Sequence, residues 1–405
     1  MFSMFWMYAG FIALVLVLLA LDLGVFHRKA HVVSMKEALG WSAFWIALGL
    51  IFATFIYFGY DRHWLGLGLT KDTMTSTEQV TSFTSSAVAS GSMTAEQVAA
   101  GDVVYNDGYN ATLKYITGYL VEKSLAVDNI FVIAMLFAFF AVPPLYQHRV
   151  LFWGIIGALL MRGVMIWLGA ELIAKYNWII YIFGGFLILT GIKMLVIKGG
   201  DPDPNKNILV RLTRKLIPIT SKFHGQHFFV RAGSDASHEA AVPGAKVEYD
   251  EVVEKAKKGT LLATPLFLAL LMVEFTDLIF AVDSIPAIFA ITTDPFLVFT
   301  SNVFAILGLR SLYFALAGMM DKFHYLKISL AVILMLVGVK MMTHTWLKKT
   351  LGENFNLYLL CVVLGILAAG VVASLIWSKP GGGDGHGHGG GNGGEKKQPE
   401  LAGSH

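Results

Sequence analysis

The chain has 405 residues, 56% of them hydrophobic and only 15% charged, with a formal net charge of +3 and a mean hydropathy of +0.63. A soluble domain carries about 25% charged residues, so this composition excludes one and points to a polytopic membrane protein whose length counts helices rather than domains. The charges gather in loops and tail and say little about partners, and the single cysteine, Cys361, cannot form an internal disulfide.

Apolar stretches near 4–26, 39–60, 113–140, 149–172, 177–198, 261–292, 296–318, 326–345 and 355–377 read as nine spans. All must be helical, because an open strand leaves its backbone groups unsatisfied in lipid. The expected fold class is therefore all-α and polytopic. The first stretch lacks a charged leader region or a small-residue cleavage site and runs straight into His27-Arg28-Lys29, so it reads as a retained helix. Arg28, Lys29 and Lys36 place the next loop in the cytoplasm, which puts the N-terminus outside and the C-terminus inside.

Alternation then places 61–112 outside. This segment is rich in Thr, Ser and Ala, carries Asp72, Glu78, Glu96, Asp102 and Asp107, and reads mainly as a flexible connection. M-T-A-E-Q-V-A-A from Met93 is a candidate short capped helix within it. The 199–260 loop falls inside, with Arg211, Arg214, Lys215, Lys222, Arg231, Lys255, Lys257 and Lys258. It pairs turn signals at Asp201-Pro202-Asp203-Pro204 with a basic amphipathic stretch near 206–217, read as a solvated loop helix ahead of one lying on anionic lipid. Lys348 and Lys349 fall outside against the rule. From Pro380 the tail is Gly-rich and reads as disordered, and its His386 and His388 are too few for a metal site. The organisation is then two helices in 1–60, an external loop at 61–112, three helices in 113–198, a cytoplasmic loop at 199–260, three helices in 261–345, a last helix in 346–378 and a tail at 379–405.

Two apolar stretches carry acids at the same spacing. E-K-S-L-A-V-D-N-I holds Glu122 and Asp128; D-L-I-F-A-V-D-S-I holds Asp277 and Asp283. A carboxylate at a helix centre costs roughly 2.5–3.5 kcal/mol to insert, which packing alone does not require twice. A structural ion pair or a protonated acid is the bland account; binding of a cation is the sharper one. Both acid-bearing stretches exceed what a bilayer needs, so tilt or a break is expected, and Pro286 marks a place for one.

The match extends. Arg162 follows the first pair and Arg310 the second, and T-G-I-K-M-L around Lys193 parallels V-G-V-K-M-M around Lys340. Three anchors in one order, entering from opposite sides, predict two inverted three-helix repeats with a substrate site at their interface near the bilayer midplane. L-A-L-D-L-G around Asp22 resembles the string at Asp128 and hints at a partial third copy.

At 100° per residue Glu122 and Asn129 share a helical face, as do Asp277 and Ser284; Asp128 and Asp283 lie about a third of a turn away, and Glu274 neighbours Asp277. Joined across a pseudo-two-fold axis, these oxygens form a cage suited to Mg²⁺, Ca²⁺ or Mn²⁺. No cysteine or intramembrane histidine lies among them, which argues against a soft site for Zn²⁺ or Cu⁺. Arg162 and Arg310 read as partners that neutralise one acid per repeat, ahead of a gating role, and Lys123 as snorkelling or paired locally. The acids left over must be protonated or meet a cation, so metal–proton exchange uses both options. No cofactor beyond the transported ion, no nucleic-acid partner and no enzymatic activity are expected; no phosphate-binding G-x-x-x-x-G-K-[ST] loop is present to drive transport with ATP.

V-E-K-S-L-A-V-D-N-I-F-V, V-E-F-T-D-L-I-F-A-V-D-S-I-P-A-I-F-A-I-T and F-A-I-L-G-L-R-S-L-Y-F-A-L-A-G resemble the TerC/Alx family of bacterial membrane proteins over about 1–60 and 113–377. The resemblance implies a bacterial inner-membrane protein of metal homeostasis, related to the superfamily that includes LysE, exporting Mn²⁺. It also implies a metal pathway through Glu122, Asp128, Asn129, Glu274, Asp277, Asp283 and Asp22. The family's link to tellurium resistance does not follow from the residues, since acids repel an oxyanion. Two other classes stay open: a membrane assembly or metallation factor working through 61–112 or 199–260, and a sensor that binds metal without flux.

Overall fold

The computed structural model describes residues 2–21, 34–176, 178–196, 218–244, 249–316, 324–351 and 355–376. Asp22, the turns at 201–204, the basic stretch at 206–217 and the His/Gly tail lie outside the described residues.

The described residues are mostly helical. Its elements are α1 (Phe2–Leu21), α2 (Met35–Asp61), α3 (Thr77–Ser90), α4 (Ala95–Ala99), α5 (Gly108–Phe139), α6 (Pro144–Lys175) and α7 (Ile179–Val196). They continue with β1 (Phe229–Arg231), α8 (Glu251–Lys255), β2 (Leu261–Ala263), α9 (Pro265–Phe289), α10 (Pro295–Leu307), α11 (Leu309–Leu316), α12 (His324–Leu351) and α13 (Phe355–Ile376). Among the described residues five helices are long and apolar enough to cross a membrane, and α10 with α11 makes a sixth span bent by 41°. The other three apolar stretches are helices as well: α5, which carries Lys114, Glu122, Lys123 and Asp128, and α12 and α13. Large apolar side chains such as Leu160, Trp167, Leu189 and Ile376 face outward, the surface a bilayer covers.

α10 is the hub. Nearly every residue along it is buried, from Phe296 to Leu307, as expected of a helix that is apolar all round. α1 meets it along one stripe, Met7, Phe11, Val15 and Leu19, with Phe11 against Phe296, Phe299 and Phe304. Lipid is as apolar as these side chains, so packing and polar contacts hold the helices together rather than escape from water.

The third helices of the two predicted repeats, α7 and α12, cross at glycines. A Cβ at Gly191 would meet Met335 and, at 2.8 Å, the Ala331 carbonyl; a Cβ at Gly338 would meet Ile188 and the Gly184 carbonyl, both at 2.8 Å. Gly184, Ile188 and Gly191 are each 147 positions before Ala331, Met335 and Gly338. The contacts are thus reciprocal, and because 191 faces 331–335 while 184–188 faces 338, the two helices run antiparallel.

Three expectations change. The sixth helix begins at Pro265 rather than 261, because Leu261–Ala263 pairs antiparallel with Phe229–Arg231. Pro at the first helical position then starts α9 after Thr264. Pro286 does not break this helix. It sits in the last turns, and the ladder closes again when Ala290 N donates to the Pro286 carbonyl at 3.1 Å. The break falls instead at Gly308, between α10 and α11.

The 61–112 segment is ordered. Ser76 with Gln79 and Thr94 with Gln97 form capping boxes at α3 and α4, and Ala87, Met93 and Val104 make a small core between them. The segment is fastened to the bundle by Lys114 of α5. Its Nζ donates to Asp72 Oδ2 at 2.8 Å, Thr75 Oγ1 at 2.7 Å and Asn106 Oδ1 at 2.6 Å, using all three protons. Asp72 in turn accepts from Thr292 Oγ1 at 2.6 Å and Thr293 N at 3.0 Å, in the connection between α9 and α10. Asp294 in the same connection accepts from Tyr60 Oη at 3.0 Å and caps α10 through Phe296 N. Composition argued for flexibility; the buried polar network, formed between residues far apart in the chain, overrides it. In the other long loop, the strand pair with Val230, Ala232, Val253 and Leu262 forms a second small unit.

Burial pushes the Asp72 carboxyl up, but Lys114 and the hydrogen bonds outweigh it and hold the group well below the usual carboxylate range. Asp294 has no cation beside it; burial and then the Asp72 charge push it up to about 6. Removing one partner of a buried pair leaves an uncompensated charge at about 3–5 kcal/mol. Lys114→Met is therefore expected to lower unfolding stability in detergent by that order, with Lys114→Met/Asp72→Asn recovering part of it; a single variant as stable as the parent would refute the fastening role. Folded Asp294 holds its proton more tightly than an unfolded aspartate near 3.8, so its contribution is full below about pH 4 and is lost as pH rises through about 6. The size is about 3 kcal/mol at ~1.4 kcal/mol per unit. Thermal melts of Asp294→Asn between pH 4 and 7 should lack that fall.

Candidate functional site

The site is built on Arg162 of α6. Its Nη2 and Nε donate to Asp277 Oδ1 and Oδ2 at 2.8 and 3.1 Å, a bidentate pair, and its Nη1 pairs with Glu122 Oε1. Asp277 comes from α9 and Glu122 from α5, the matched acids of the two strings. Nη1 also approaches Ser284 Oγ and Asn302 Oδ1, each at 3.5 Å. Arg162 and Glu122 are both 2% exposed. A planar guanidinium suits this position because it serves two carboxylates at fixed angles, which an ammonium cannot do as well.

The sequence predicts one arginine per repeat for one acid per repeat. The structure instead gives Arg162 both acids, one from each predicted repeat, because α9 packs against both α5 and α6. Arg310 stands elsewhere, with Nη1 2.9 Å from His148 Nε2. Were both carboxylates ionised, one guanidinium would leave one negative charge over. Glu122 Oε2 is buried without a hydrogen-bond partner among the described residues, and so is Asn302 Nδ2.

A cavity of about 100 Å³ opens beside Glu122. Its polar wall is Glu122, Asn129 and Ser284; Leu125, Met194, Phe280 and Leu334 complete it. Asn129 and Ser284 are again repeat-matched positions. The walls come from α5, α7, α9 and α12, the first and third helices of each predicted repeat.

Glu274 lies against α6, where a Cβ at Gly157 would collide with its carboxylate. Its Oε2 is buried with no partner among the described residues. Lys123 neither snorkels nor pairs with an acid: its Nζ donates to the Ala305 carbonyl at 3.0 Å, in the last turn of α10 before the break. A cation there complements the exposed carbonyl end of a helix. The backbone of Asp128 and Asp283 lies in α5 and α9, while their side chains, like all of Asp22, fall outside the described residues. Among the described residues no group of three or more His, Cys, Asp or Glu is gathered as a metal cluster; Glu122 and Asp277 are joined through Arg162.

Sequence reasoning missed Asn302 and Met194. Asn302 is a lone amide in the apolar run F-T-S-N-V-F, a signal of the same kind as the acids. Met194 follows Lys193 in a string used to align the repeats, and nothing in an apolar helix marks a methionine as a lining residue.

A helical bundle with apolar outer faces and a buried arginine–carboxylate centre defines a polytopic membrane protein with an intramembrane polar site. A family model described as "Integral membrane protein TerC family" matches residues 108–381. "Uncharacterized membrane protein STKORF319" of Myxococcus xanthus is 44% identical over 373 residues, 92% of this chain and 93% of that protein. Proteins of Escherichia coli (strain K12) and Salmonella typhi, each named "Putative membrane-bound redox modulator Alx", are 39% identical over 363 residues, 88% of this chain and 93% of each of theirs. No solved structure matches the chain. The chain belongs to the TerC family, as its motif strings imply.

Arg162→Met strips Glu122 and Asp277 of their shared counter-charge and is expected to destabilise the protein by about 3–5 kcal/mol. Arg162→Met/Glu122→Gln/Asp277→Asn should recover most of that loss in detergent unfolding curves. No recovery in the triple variant would mean that Arg162 stabilises through packing rather than charge.

Proposed function

We propose that this protein is a secondary transporter that exports a divalent metal cation, with Mn²⁺ as cargo, in exchange for protons. The observation that carries the reading is the meeting of Glu122 and Asp277, one from each predicted repeat, at one buried centre, with Glu122 also lining a cavity beside Asn129 and Ser284. The reciprocal antiparallel crossing of α7 and α12 supports an inverted repeat, the architecture that alternates access around a fixed midplane site. In the cycle, Asp128, Asn129, Glu274, Asp277, Asp283 and Ser284 would complete the ligand path with Glu122, and protons would neutralise the acids once the metal leaves. Arg162 keeps the empty site from collapsing under its own charge. The protein would sit in the bacterial cytoplasmic membrane with its N-terminus outside and its C-terminus inside.

A membrane assembly or metallation factor is the second reading, favoured by the ordered units at 62–107 and at 218–244 with 249–264. Deleting 61–112 would strand Lys114 in the core, so exposed substitutions on α3 are the fair test of that reading. The name given to the relatives, a redox modulator, has no dithiol to rest on here, since Cys361 is the chain's one cysteine. A tellurite phenotype would be indirect, because the acids repel an oxyanion.

Mn²⁺ flux into proteoliposomes under a pH gradient tests the transporter. The parent protein should move Mn²⁺, and Asp128→Asn, Asp283→Asn and Glu122→Gln should each reduce flux by at least about tenfold. Equal flux in all four, or none in the parent, would remove the mechanism and bring the assembly reading forward.

A further inference from the structure

The oxygen ligands alone do not distinguish Mn²⁺ from Ca²⁺ or Mg²⁺, since all three accept carboxylate and amide oxygens. The cavity beside Glu122 adds something that the oxygens do not. Met194 of α7 lines it together with Glu122, Asn129 and Ser284, so the wall sets a thioether-bearing side chain beside three oxygen-bearing ones, and Glu122 Oε2 is buried with no hydrogen-bond partner among the described residues. Resting on the transporter reading, we propose that Met194 is a specificity-determining residue of the cargo site, a soft donor that favours transition-metal divalent cations over Ca²⁺ and Mg²⁺.

The chemistry follows from size and softness. The cavity is small, about 100 Å³, so an ion seated beside Glu122 meets side chains over part of its surface and exchanges some of its water for them. Ca²⁺ and Mg²⁺ seek all-oxygen shells, and Mg²⁺ sheds water reluctantly. A thioether in place of a water returns little to either. First-row transition ions and Cd²⁺ accept sulfur more readily, and Cd²⁺ most of all.

The repeat supplies an internal control. Met194 follows Lys193 as Met341 follows Lys340. Met341 is buried in the apolar core, with its Cβ 3.3 Å from where a Cβ at Gly184 would stand. Both methionines pack against the same apolar cluster, but of the matched pair only Met194 also lines the cavity with Glu122, Asn129 and Ser284.

The test is calorimetric titration of the purified full chain with MnCl₂, CdCl₂ and CaCl₂. The parent should bind Cd²⁺ and Mn²⁺ ahead of Ca²⁺. Met194→Leu keeps the volume and removes the sulfur; it is expected to weaken Mn²⁺ about tenfold and Cd²⁺ by more, with Ca²⁺ within about twofold. Met194→Gln, which offers a hard oxygen, should raise Ca²⁺ affinity relative to Mn²⁺, and Met341→Leu should leave every ratio as in the parent. An unchanged Mn²⁺-to-Ca²⁺ ratio in both Met194 variants, a parent that prefers Ca²⁺, or a parent that binds none of the three overturns the proposal. Selective binding by the parent without liposome flux would sink the transporter reading and leave this one standing.

Discussion

Two ionised carboxylates do not share a low-dielectric interior unless a cation stands between them. Arg162 is that cation. Its fork reaches α5 through Glu122 and α9 through Asp277, so the acid helices of both repeats are joined through α6. Burying three charges is expensive, and replacing such a triad with apolar side chains is often neutral or better for stability. Its presence is therefore better explained by what the charges do than by what they hold. The geometry agrees: one guanidinium serves two carboxylates, and one of the two residues, Glu122, also lines the cavity.

The bundle around this centre is close to symmetric in its pairings and asymmetric in its contents. Gly191 and Gly338 admit each other's helices by the same contacts read in reverse. Asn129 and Ser284 both reach the cavity. Yet Arg162 carries both acids while Arg310 faces His148, and Met194 lines the cavity while Met341 is packed away. The helix crossings follow the predicted repeat, while the side chains differ between its two halves and decide which half supplies each chemical group.

The 62–107 unit adds a constraint at one end of the bundle. Lys114 and Asp72 are buried, fully hydrogen-bonded and tied to the α9–α10 connection. Any motion that separates α5 from that connection must break a charged pair in a dry environment, so the unit and the hub helix α10 move together or hardly at all. The Lys123 contact to Ala305 at the other end of α10 has the same consequence for the break at Gly308.

The sequence by itself determined the helices, because hydropathy over some twenty residues is a local property that lipid enforces without exceptions. It determined the family too, through strings in which acids are kept at fixed spacing in apolar runs, and it placed Glu122, Asp277, Asn129 and Ser284 correctly on shared faces. Order in 61–112 was not legible: its strength comes from Lys114 and Thr292, which lie far along the chain. Strand β2 was hidden for the same reason, since Leu261–Ala263 is as apolar as the helix it precedes. Only the tertiary structure decided that Arg162 takes both acids, that Lys123 meets a carbonyl, and that Met194 lines the cavity with Glu122, Asn129 and Ser284. Spacing along a helix fixes a direction around its own axis, while a partner is fixed by how two helices cross, and crossing depends on glycines and volumes spread over the whole bundle.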